Sequence, residues 1–328
     1  MKSLQIPALF LAASVLFSFL PGCVRSDAYK KDRDFYEETP SGYYSETEAG
    51  KADETGKRLE KLKGPKKKVL IFSFWNDTPV GDEDLGSFTA DELKRELFLT
   101  KRILFPDDKH ISSATKDFVQ GDRVQTAQLV REGKRFGVSS VVVGRISKIK
   151  FRQNREEVGI LREAESAVVV DIEMKVFDVA SGREVSSYKR TGAASSTARV
   201  AFNDDALSQQ EARAELSKEA IREAVLKLVP DALVALEKMD WQGRIAKIMG
   251  TKVYLNAGRA SGLLSGDILK VLSPGEEIVD PISKVFLGRS EGLLKGTLEV
   301  SEFIGTDSAM ATIHTGGNFQ EGDVVRLY

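Results

Sequence analysis

The chain has 328 residues, a formal net charge of −1 and a hydrophobic content of 41%, which suffices for about two domains with tails. A near-neutral charge argues against a nucleic-acid-binding protein. One cysteine, Cys23, excludes an intrachain disulfide, and with two histidines the chain has few ways to build a transition-metal site or a histidine-dependent catalytic triad. We therefore predict no cofactor, no metal ligand and no catalytic residue.

The first 22 residues have the features of an export signal. Lys2 gives a positively charged start, and residues 4–20 are uncharged and mostly apolar. This segment is short for a membrane-spanning helix and fits the apolar region of a cleaved signal peptide.

Leu20-Pro21-Gly22-Cys23 resembles a bacterial lipobox, although Pro21 stands where alanine or serine is usual. The resemblance implies cleavage before Cys23 and acylation of this residue, so that acyl chains hold the protein on a membrane. Val24 after the cysteine resembles lipoproteins sent to the outer membrane, and we expect a lipid-anchored protein on its periplasmic face. A plain signal peptide with an incidental cysteine and an uncleaved anchor are the alternatives.

Residues 23–65 comprise the predicted lipidated cysteine and a disordered tether. The stretch is polar and charged without periodicity, so it buries too little apolar surface to order itself. A coil of about 42 residues spans roughly 35 Å, so the folded part is expected to stand off the membrane.

Residues 66–238 alternate strand and helix patterns. Three short apolar runs are typical of buried strands: residues 69–75, 103–105 and 138–144. Between them, Thr89 to Glu92 resembles a capping box, with Ala90, Leu93 and Leu97 on one helix face, and Asp122 can cap a helix that runs to Phe136. This βαβαβ order predicts an α/β layered domain.

A β-hairpin is predicted next. Val170, Ile172, Met174 and Val176 alternate with charged residues, which places one face on a core, and Gly182 supplies the turn. A helix is predicted from Ala206 to Met239, and Pro230 is expected to kink or restart it.

Three stretches carry a family resemblance: Val69–Phe74 with Asn76-Asp77, Val141–Ile146, and Val176–Val185. They resemble the periplasmic domain of the curli-secretion (CsgG-like) lipoprotein family, a domain type similar to the N-terminal domain of the Tol-system protein TolB and to the middle domain of flagellar assembly protein T. The resemblance implies an α/β (α+β) CsgG/TolB-N-like fold, envelope or secretion proteins as partners, and a homo-oligomer as one possible state.

Curli channels offer a test, because two segments flanking the central hairpin become membrane-spanning hairpins in that family. A spanning strand needs about 9–11 residues with an alternating apolar face. In residues 150–165, charged side chains fall at both odd and even positions, so neither face of a strand would be apolar. In residues 193–210, apolar and polar residues alternate over a length that suffices for one short strand only. We therefore expect no long hairpins and a soluble docking domain, with a curli-type export channel subunit as the alternative.

Residues 241–328 show many short strand patterns punctuated by glycine, which predicts a small all-β barrel or sandwich. Gly266-Asp267 is echoed by Gly322-Asp323, and each aspartate is predicted to accept hydrogen bonds in a turn before a strand. Asn256–Gly258, Ser261–Leu263 and a loop from Val279 to Gly288 resemble the SH3-like C-terminal domain of flagellar assembly protein T, which serves in an envelope ring around the flagellar motor.

The leading hypothesis is a non-enzymatic, lipid-anchored assembly or scaffold protein of a secretion or flagellar-type apparatus. A hydrolase built from Ser195, Ser196, Asp171 and Glu173 is disfavoured because no Gly-x-Ser-x-Gly elbow is present. The acidic loop Asp82–Asp84 and His110 beside Asp107-Asp108 are more typical of solvated loops than of metal sites.

Overall fold

The computed structural model describes residues 64–80, 84–106, 114–120, 123–158, 161–199 and 206–328, which belong to one compact unit. The predicted signal peptide, Cys23 and the tether lie outside these residues.

A mixed sheet forms the centre of the N-terminal part, with the strand order β3–β1–β6–β7–β8. Its strands are β1 (Lys67–Ile71), β2 (Trp75–Asn76), β3 (Ile103–Leu104), β6 (Ser140–Val158), β7 (Leu161–Asp178) and β8 (Arg183–Arg199). A separate pair, β4 (Val119–Gln120) and β5 (Arg123–Val124), follows a 3₁₀ turn at Thr115–Phe118. β1 is parallel to β3 and β6, and β7 and β8 add antiparallel strands, so the predicted α/β layering is confirmed.

Three helices cover the two faces of this sheet: α1 (Asp84–Leu99), α2 (Thr126–Arg135) and α3 (Ala206–Glu237). Leu129 and Val130 of α2 pack in one core cluster with Leu70 and Val141. α3 packs on β7 and β8 at the opposite face, which carries the buried row of β7, and α1 packs against α3. That row comprises Val168, Val170, Ile172, Met174 and Val176, which confirms the predicted hairpin face.

The strands of the central hairpin are much longer than expected. β6, β7 and β8 have 19, 18 and 17 residues, and the β6–β7 ladder continues to the pair Val158 and Leu161. The expectation of no long hairpin was therefore wrong for residues 150–165. In the second flank, β8 ends at Arg199 and α3 begins at Ala206, so the described residues there form one strand followed by a helix, as expected. The alternation of apolar and polar side chains in β6 ends near Phe151. The strands continue beyond this point because the backbone hydrogen bonds that pair antiparallel strands do not depend on apolar side chains.

The helix boundaries also differ from the sequence patterns. α1 begins at Asp84, so Thr89 lies inside the helix, where its hydroxyl donates to the Leu85 carbonyl at 2.6 Å. α2 begins at Thr126 with Gln125 at its N-cap, and Asp122 lies outside the described residues. α3 continues through the exposed Pro230, because buried residues on both sides, Leu228 and Ala232, hold it by packing.

The C-terminal part is a closed six-stranded barrel with the order β10–β15–β14–β11–β16–β9, as the short strands predicted. Its strands are β9 (Gly243–Met249), β10 (Lys252–Leu255), β11 (Ile268–Leu272), β14 (Leu294–Ile304), β15 (Ser308–Gly316) and β16 (Val324–Leu327). The core includes Trp241, Leu255, Leu298 and Val325. β12 (Glu277–Val279) and β13 (Phe286–Arg289) form a separate hairpin, inserted between β11 and β14.

Polar contacts join the sheet to the barrel. The Lys68 ammonium on β1 lies 2.8 Å from an Asp307 carboxylate oxygen and also donates to the Asn256 carbonyl. The Lys66 amide donates to the Ser261 carbonyl at 2.7 Å. The start of β1 is thus held against the barrel loops.

Candidate functional site

The residues singled out for metal chemistry do not form a site in the described structure. His110, Asp107, Asp108, Asp82 and Glu83 lie outside the described residues, as does the lipidation candidate Cys23. Within the described ranges, no group of three histidine, cysteine or carboxylate side chains is arranged to hold a metal ion. No helix in the same ranges is long and apolar enough to cross a membrane.

The residues considered for a hydrolase are separated along the sheet. Ser195 pairs with Ala167, and Ser196 pairs with Ser166, whereas Asp171 pairs with Thr191. Asp171 accepts a hydrogen bond from the Thr191 hydroxyl at 2.7 Å. The fold therefore does not place a serine nucleophile beside a carboxylate that could act as its base.

Glu173 has a structural role in a charged ladder on the outer face of β7. Its carboxylate accepts from Arg145 Nε at 2.8 Å and from Lys189 Nζ at 3.2 Å. Burial opposes ionisation, but these hydrogen bonds and charges outweigh it and lower the pKa of Glu173. The ladder stabilises cross-strand pairing and leaves Glu173 ionised, which does not suit a general acid.

A large cleft lies between the end of the sheet and the barrel; we call it the basic cleft. Its volume is about 510 Å³. Five cationic side chains line it, Lys134, Lys238, Arg244, Arg289 and Arg326, together with three carboxylates, Asp178, Asp240 and Glu291. Clefts of this size with a few convergent polar groups are typical of ligand sites.

Lys134 and Arg244 give the basic cleft its electrostatic character. Lys134 lies in the last turn of α2, and Arg244 lies on β9. Burial and, to a smaller extent, the charges of Arg289 and Arg244 lower the pKa of Lys134 to about 8, and Glu277 opposes this shift. Burial also lowers the pKa of Arg244. Cations from three separate segments are therefore held close together in a partly desolvated space.

Arg289 and Arg326 differ in how many of their guanidinium N–H groups have hydrogen-bond acceptors. The Arg289 side chain is 7% exposed, and its guanidinium donates to Glu277 at 3.0 Å and to the Gly275 carbonyl. Arg326 has Glu291 at 3.9 Å, but its Nε is buried without a hydrogen-bond acceptor among the described residues. Arg289 thus fixes the cleft wall, whereas Arg326 keeps donor capacity.

A second feature is the hairpin of β12 and β13, which we call the apolar hairpin (residues 277–289). Five of its large apolar side chains are between 44% and 92% exposed: Ile278, Val279, Ile282, Val285 and Leu287. Large exposed apolar patches mark interaction sites more often than they mark ordinary surface.

The apolar hairpin is closed by its own hydrogen bonds at the tip and joined to the sheet at its base. At its tip, Asp280 accepts hydrogen bonds from the amides of Ile282 and Ser283 at 2.8 and 2.7 Å, and these bonds lower the pKa of its carboxyl. At its base, the Arg289 amide donates to the Ser181 carbonyl at 2.9 Å, in the turn between β7 and β8. Hence the exposed side chains are presented from a fixed backbone.

No protein-family model matches this sequence, and no curated protein matches it. Among solved structures, the chain is similar to the protein CT253 from Chlamydia trachomatis, with 14% identity and a TM-score of 0.32 over 52% of this chain and 96% of that chain. It is similar to a minor lipoprotein from Acinetobacter baumannii, with 12% identity and a TM-score of 0.27 over 52% and 92% of the two chains. It is also similar to the LpoB C-terminal domain from Salmonella enterica, with 11% identity and a TM-score of 0.26 over 42% and 90%. Each identity is below 25% and each TM-score is below 0.5, so these likenesses assign no role to the chain.

Sequence reasoning missed the residues of the basic cleft. Lys134, Arg244 and Arg326 lie on α2, β9 and β16, far apart in the chain, and none belongs to a local motif. Only the packing of the sheet against the barrel brings them together. The sequence resemblance includes the loop from Val279 to Gly288 but does not indicate that its apolar side chains are exposed.

Proposed function

We propose that this chain is a lipid-anchored, non-enzymatic protein of the bacterial envelope that docks partner proteins through the apolar hairpin. Its role is that of an assembly or scaffold component on the periplasmic face of the outer membrane, as the resemblance to curli-secretion and flagellar assembly proteins implies. The observation that supports this role is a row of exposed apolar side chains on an anchored hairpin. Such a surface gains free energy when a partner covers it.

The occupant we propose is a protein with an apolar groove, and not a lipid surface. Membrane-binding segments set their apolar residues beside lysine and arginine, which contact anionic headgroups. Around the hairpin tip, Asp280 and Lys284 carry opposite charges, and Glu276 and Glu277 precede them. Mixed charge around an apolar centre is the pattern of protein interfaces.

Site-specific crosslinking in the native envelope tests this docking role. A photoreactive residue at Val285 is expected to give one discrete adduct, which disappears when Ile282→Asp and Leu287→Asp are added. The same photoreactive residue at Thr251, an exposed turn position of the barrel, is the matched control. An adduct that forms equally at both positions, or that survives both aspartate substitutions, contradicts the proposal.

The proposed anchor is tested separately. Because acylation requires the thiol of the cysteine, Cys23→Ser is expected to move the protein from the membrane fraction to the soluble fraction while its circular dichroism spectrum is unchanged. A Cys23→Ser protein that stays with the membrane after a carbonate wash would show that the lipid is not the anchor.

A curli-type export channel subunit is the second candidate, and the length of β6, β7 and β8 favours it. Strands of 19, 18 and 17 residues exceed the roughly 9–11 that cross a bilayer. The charged sequence of residues 150–165 opposes a lipid-facing role. Electron microscopy of detergent-extracted protein separates the candidates: rings with a membrane-spanning pore support the channel, and their absence supports the docking protein.

A further inference from the structure

The basic cleft contains three donors that lack an acceptor. The Arg244 guanidinium and the Lys134 ammonium have no hydrogen bond or ion pair with any residue that the structure describes. The buried Nε of Arg326 is also unpartnered within that part of the chain. These donors lie on α2, β9 and β16 and line the same space. Lys134 and Arg244 are half-buried, and the Arg326 Nε is fully buried. Polar and charged groups withdrawn from water are normally paired, so three unpartnered donors in one cleft indicate a place for an anionic ligand.

The carboxylates of the basic cleft do not neutralise these donors. Asp178 accepts hydrogen bonds from the amides of Ala180 and Ser181 at 3.3 and 3.0 Å, which engages its oxygens in the β7–β8 turn. Asp240 is exposed, and the side chain of Glu291 is 87% exposed. The negative groups of the lining therefore lie in the turn or at the solvent edge. Glu277, which acts on Lys134 from outside the lining, is paired with Arg289 at 3.0 Å, so the basic cleft keeps an excess of positive charge.

We propose that the basic cleft binds a phosphate-bearing small molecule, with the phosphate held by Lys134, Arg244 and Arg326. A phosphate ester carries about two negative charges and three terminal oxygens, one for each unpartnered donor group. Arginine forks match the geometry of phosphate oxygens, and a lysine adds a point charge. The volume of about 510 Å³ exceeds the need of a bare phosphate and leaves room for an organic portion. This binding activity is independent of the docking role of the apolar hairpin.

Calorimetric titration of the full chain in detergent tests the site with two soluble probes, pyrophosphate and glycerol 3-phosphate. Saturable binding of at least one probe is expected. Arg244→Gln and Arg326→Gln are each expected to weaken it by about tenfold or more, because each removes a charged hydrogen-bond donor. Lys247→Gln, an exposed position on the same strand as Arg244, is the matched control and is expected to keep wild-type affinity.

A second arm distinguishes a free phosphate ester from a lipid headgroup. Vesicles that contain phosphatidic acid, whose headgroup is a phosphate monoester, and vesicles of phosphatidylcholine alone are compared for binding to the Cys23→Ser chain, with and without Arg244→Gln. Binding to the anionic vesicles that depends on Arg244 assigns the site to a headgroup, and binding of the soluble probes alone assigns it to a free ester.

Three results would overturn the proposal: no saturable binding of any probe, equal loss in Lys247→Gln and Arg244→Gln, or preference for citrate over both phosphates. If Arg244→Gln fails to fold by circular dichroism, Arg326→Gln and Arg244→Lys decide. Arg326→Gln must weaken binding of the phosphate probe. Arg244→Lys, which keeps a positive charge, must bind the probe more tightly than the double variant Arg244→Gln, Arg326→Gln.

Discussion

Asp267 and Asp323 occupy equivalent turns of the barrel but differ in their surroundings. Each follows a glycine with a positive φ, +91° at Gly266 and +93° at Gly322, and each accepts a hydrogen bond from an amide three residues earlier, at 2.8 and 2.7 Å respectively. Only Asp323 is fully buried, with both carboxylate oxygens within 2.9 Å of the Lys295 ammonium. The turn role was evident in the sequence, whereas the ion pair depends on the distant Lys295.

This difference predicts that replacing aspartate by asparagine lowers the free energy of unfolding more at position 323 than at position 267. Asp323→Asn keeps an acceptor for the turn but leaves the Lys295 charge in a low-dielectric site, so it is expected to cost about 3 kcal/mol of unfolding free energy. Asp267→Asn lacks this penalty and is expected to cost under about 1 kcal/mol. Urea unfolding of both variants gives the comparison, and similar costs at the two positions would show that the ion pair does not matter.

The lowered pKa of Lys134 predicts that the free energy of unfolding depends on pH. Its pKa falls from 10.5 to about 8 on folding, because of burial and the neighbouring charges of Arg289 and Arg244, which Glu277 partly offsets. Between about pH 8 and 10.5 the unfolded chain therefore binds more protons than the folded chain, so the free energy of unfolding rises with pH in this window. Below pH 8, Lys134 is protonated in both the folded and the unfolded chain, so the folded chain is destabilised by the full cost of burying this charge.

Lys134→Met removes this titration. Relative to wild type, the variant is expected to be most stable below pH 8 and to lose that advantage as the pH rises to about 10. Denaturant unfolding at several pH values measures the difference, with the exposed Lys247→Met as control. A difference between Lys134→Met and wild type that stays constant across the window would be inconsistent with a lowered pKa.

Among the elements, β8 and α3 pack closely at Gly192. A Cβ at this position would lie 1.9 Å from the Ala220 carbonyl oxygen and 2.6 Å from the Ala224 nitrogen, both in the backbone of α3. Gly192→Ala must push the helix from the sheet and is expected to destabilise the fold by about 1–3 kcal/mol. Gly317→Ala, which meets nothing within 4 Å, is expected to be near neutral. Thermal unfolding compares the two, and a stable Gly192→Ala would mean that α3 does not pack at this distance.

The elements also show how far sequence reasoning extends. Alternation from Val170 to Val176 predicted a buried face because each of these side chains contacts the core of the sheet. The same rule failed for residues 150–158, where strand pairing rests on backbone hydrogen bonds and carries no apolar signal. The basic cleft could not be predicted at all, since Lys134, Arg244 and Arg326 meet only through tertiary packing.

At the scale of the whole molecule, the sheet and the barrel are joined by charged groups at their contact. The Asp307 carboxylate accepts from the Gly258 and Ser261 amides at 2.8 and 2.7 Å and also faces the Lys68 ammonium at 2.8 Å. Burial opposes ionisation of Asp307, but Lys68 and the hydrogen bonds of Ser261 outweigh it and lower the pKa of the carboxyl. One carboxylate thus holds the loops of the barrel and the first strand of the sheet together.

Loss of Lys68 should therefore weaken both parts of the molecule together. Lys68→Met leaves the partly buried Asp307 without its cation and is expected to cost about 1–3 kcal/mol. Trp75 lies in the sheet and Trp241 in the barrel core, so single-tryptophan variants report the two parts by fluorescence during urea unfolding. Both signals are expected to shift to lower urea by the same amount in Lys68→Met and to stay in place in Lys66→Met. If the Trp75 signal shifts while the Trp241 signal does not, the sheet and the barrel unfold independently and the pair does not couple them.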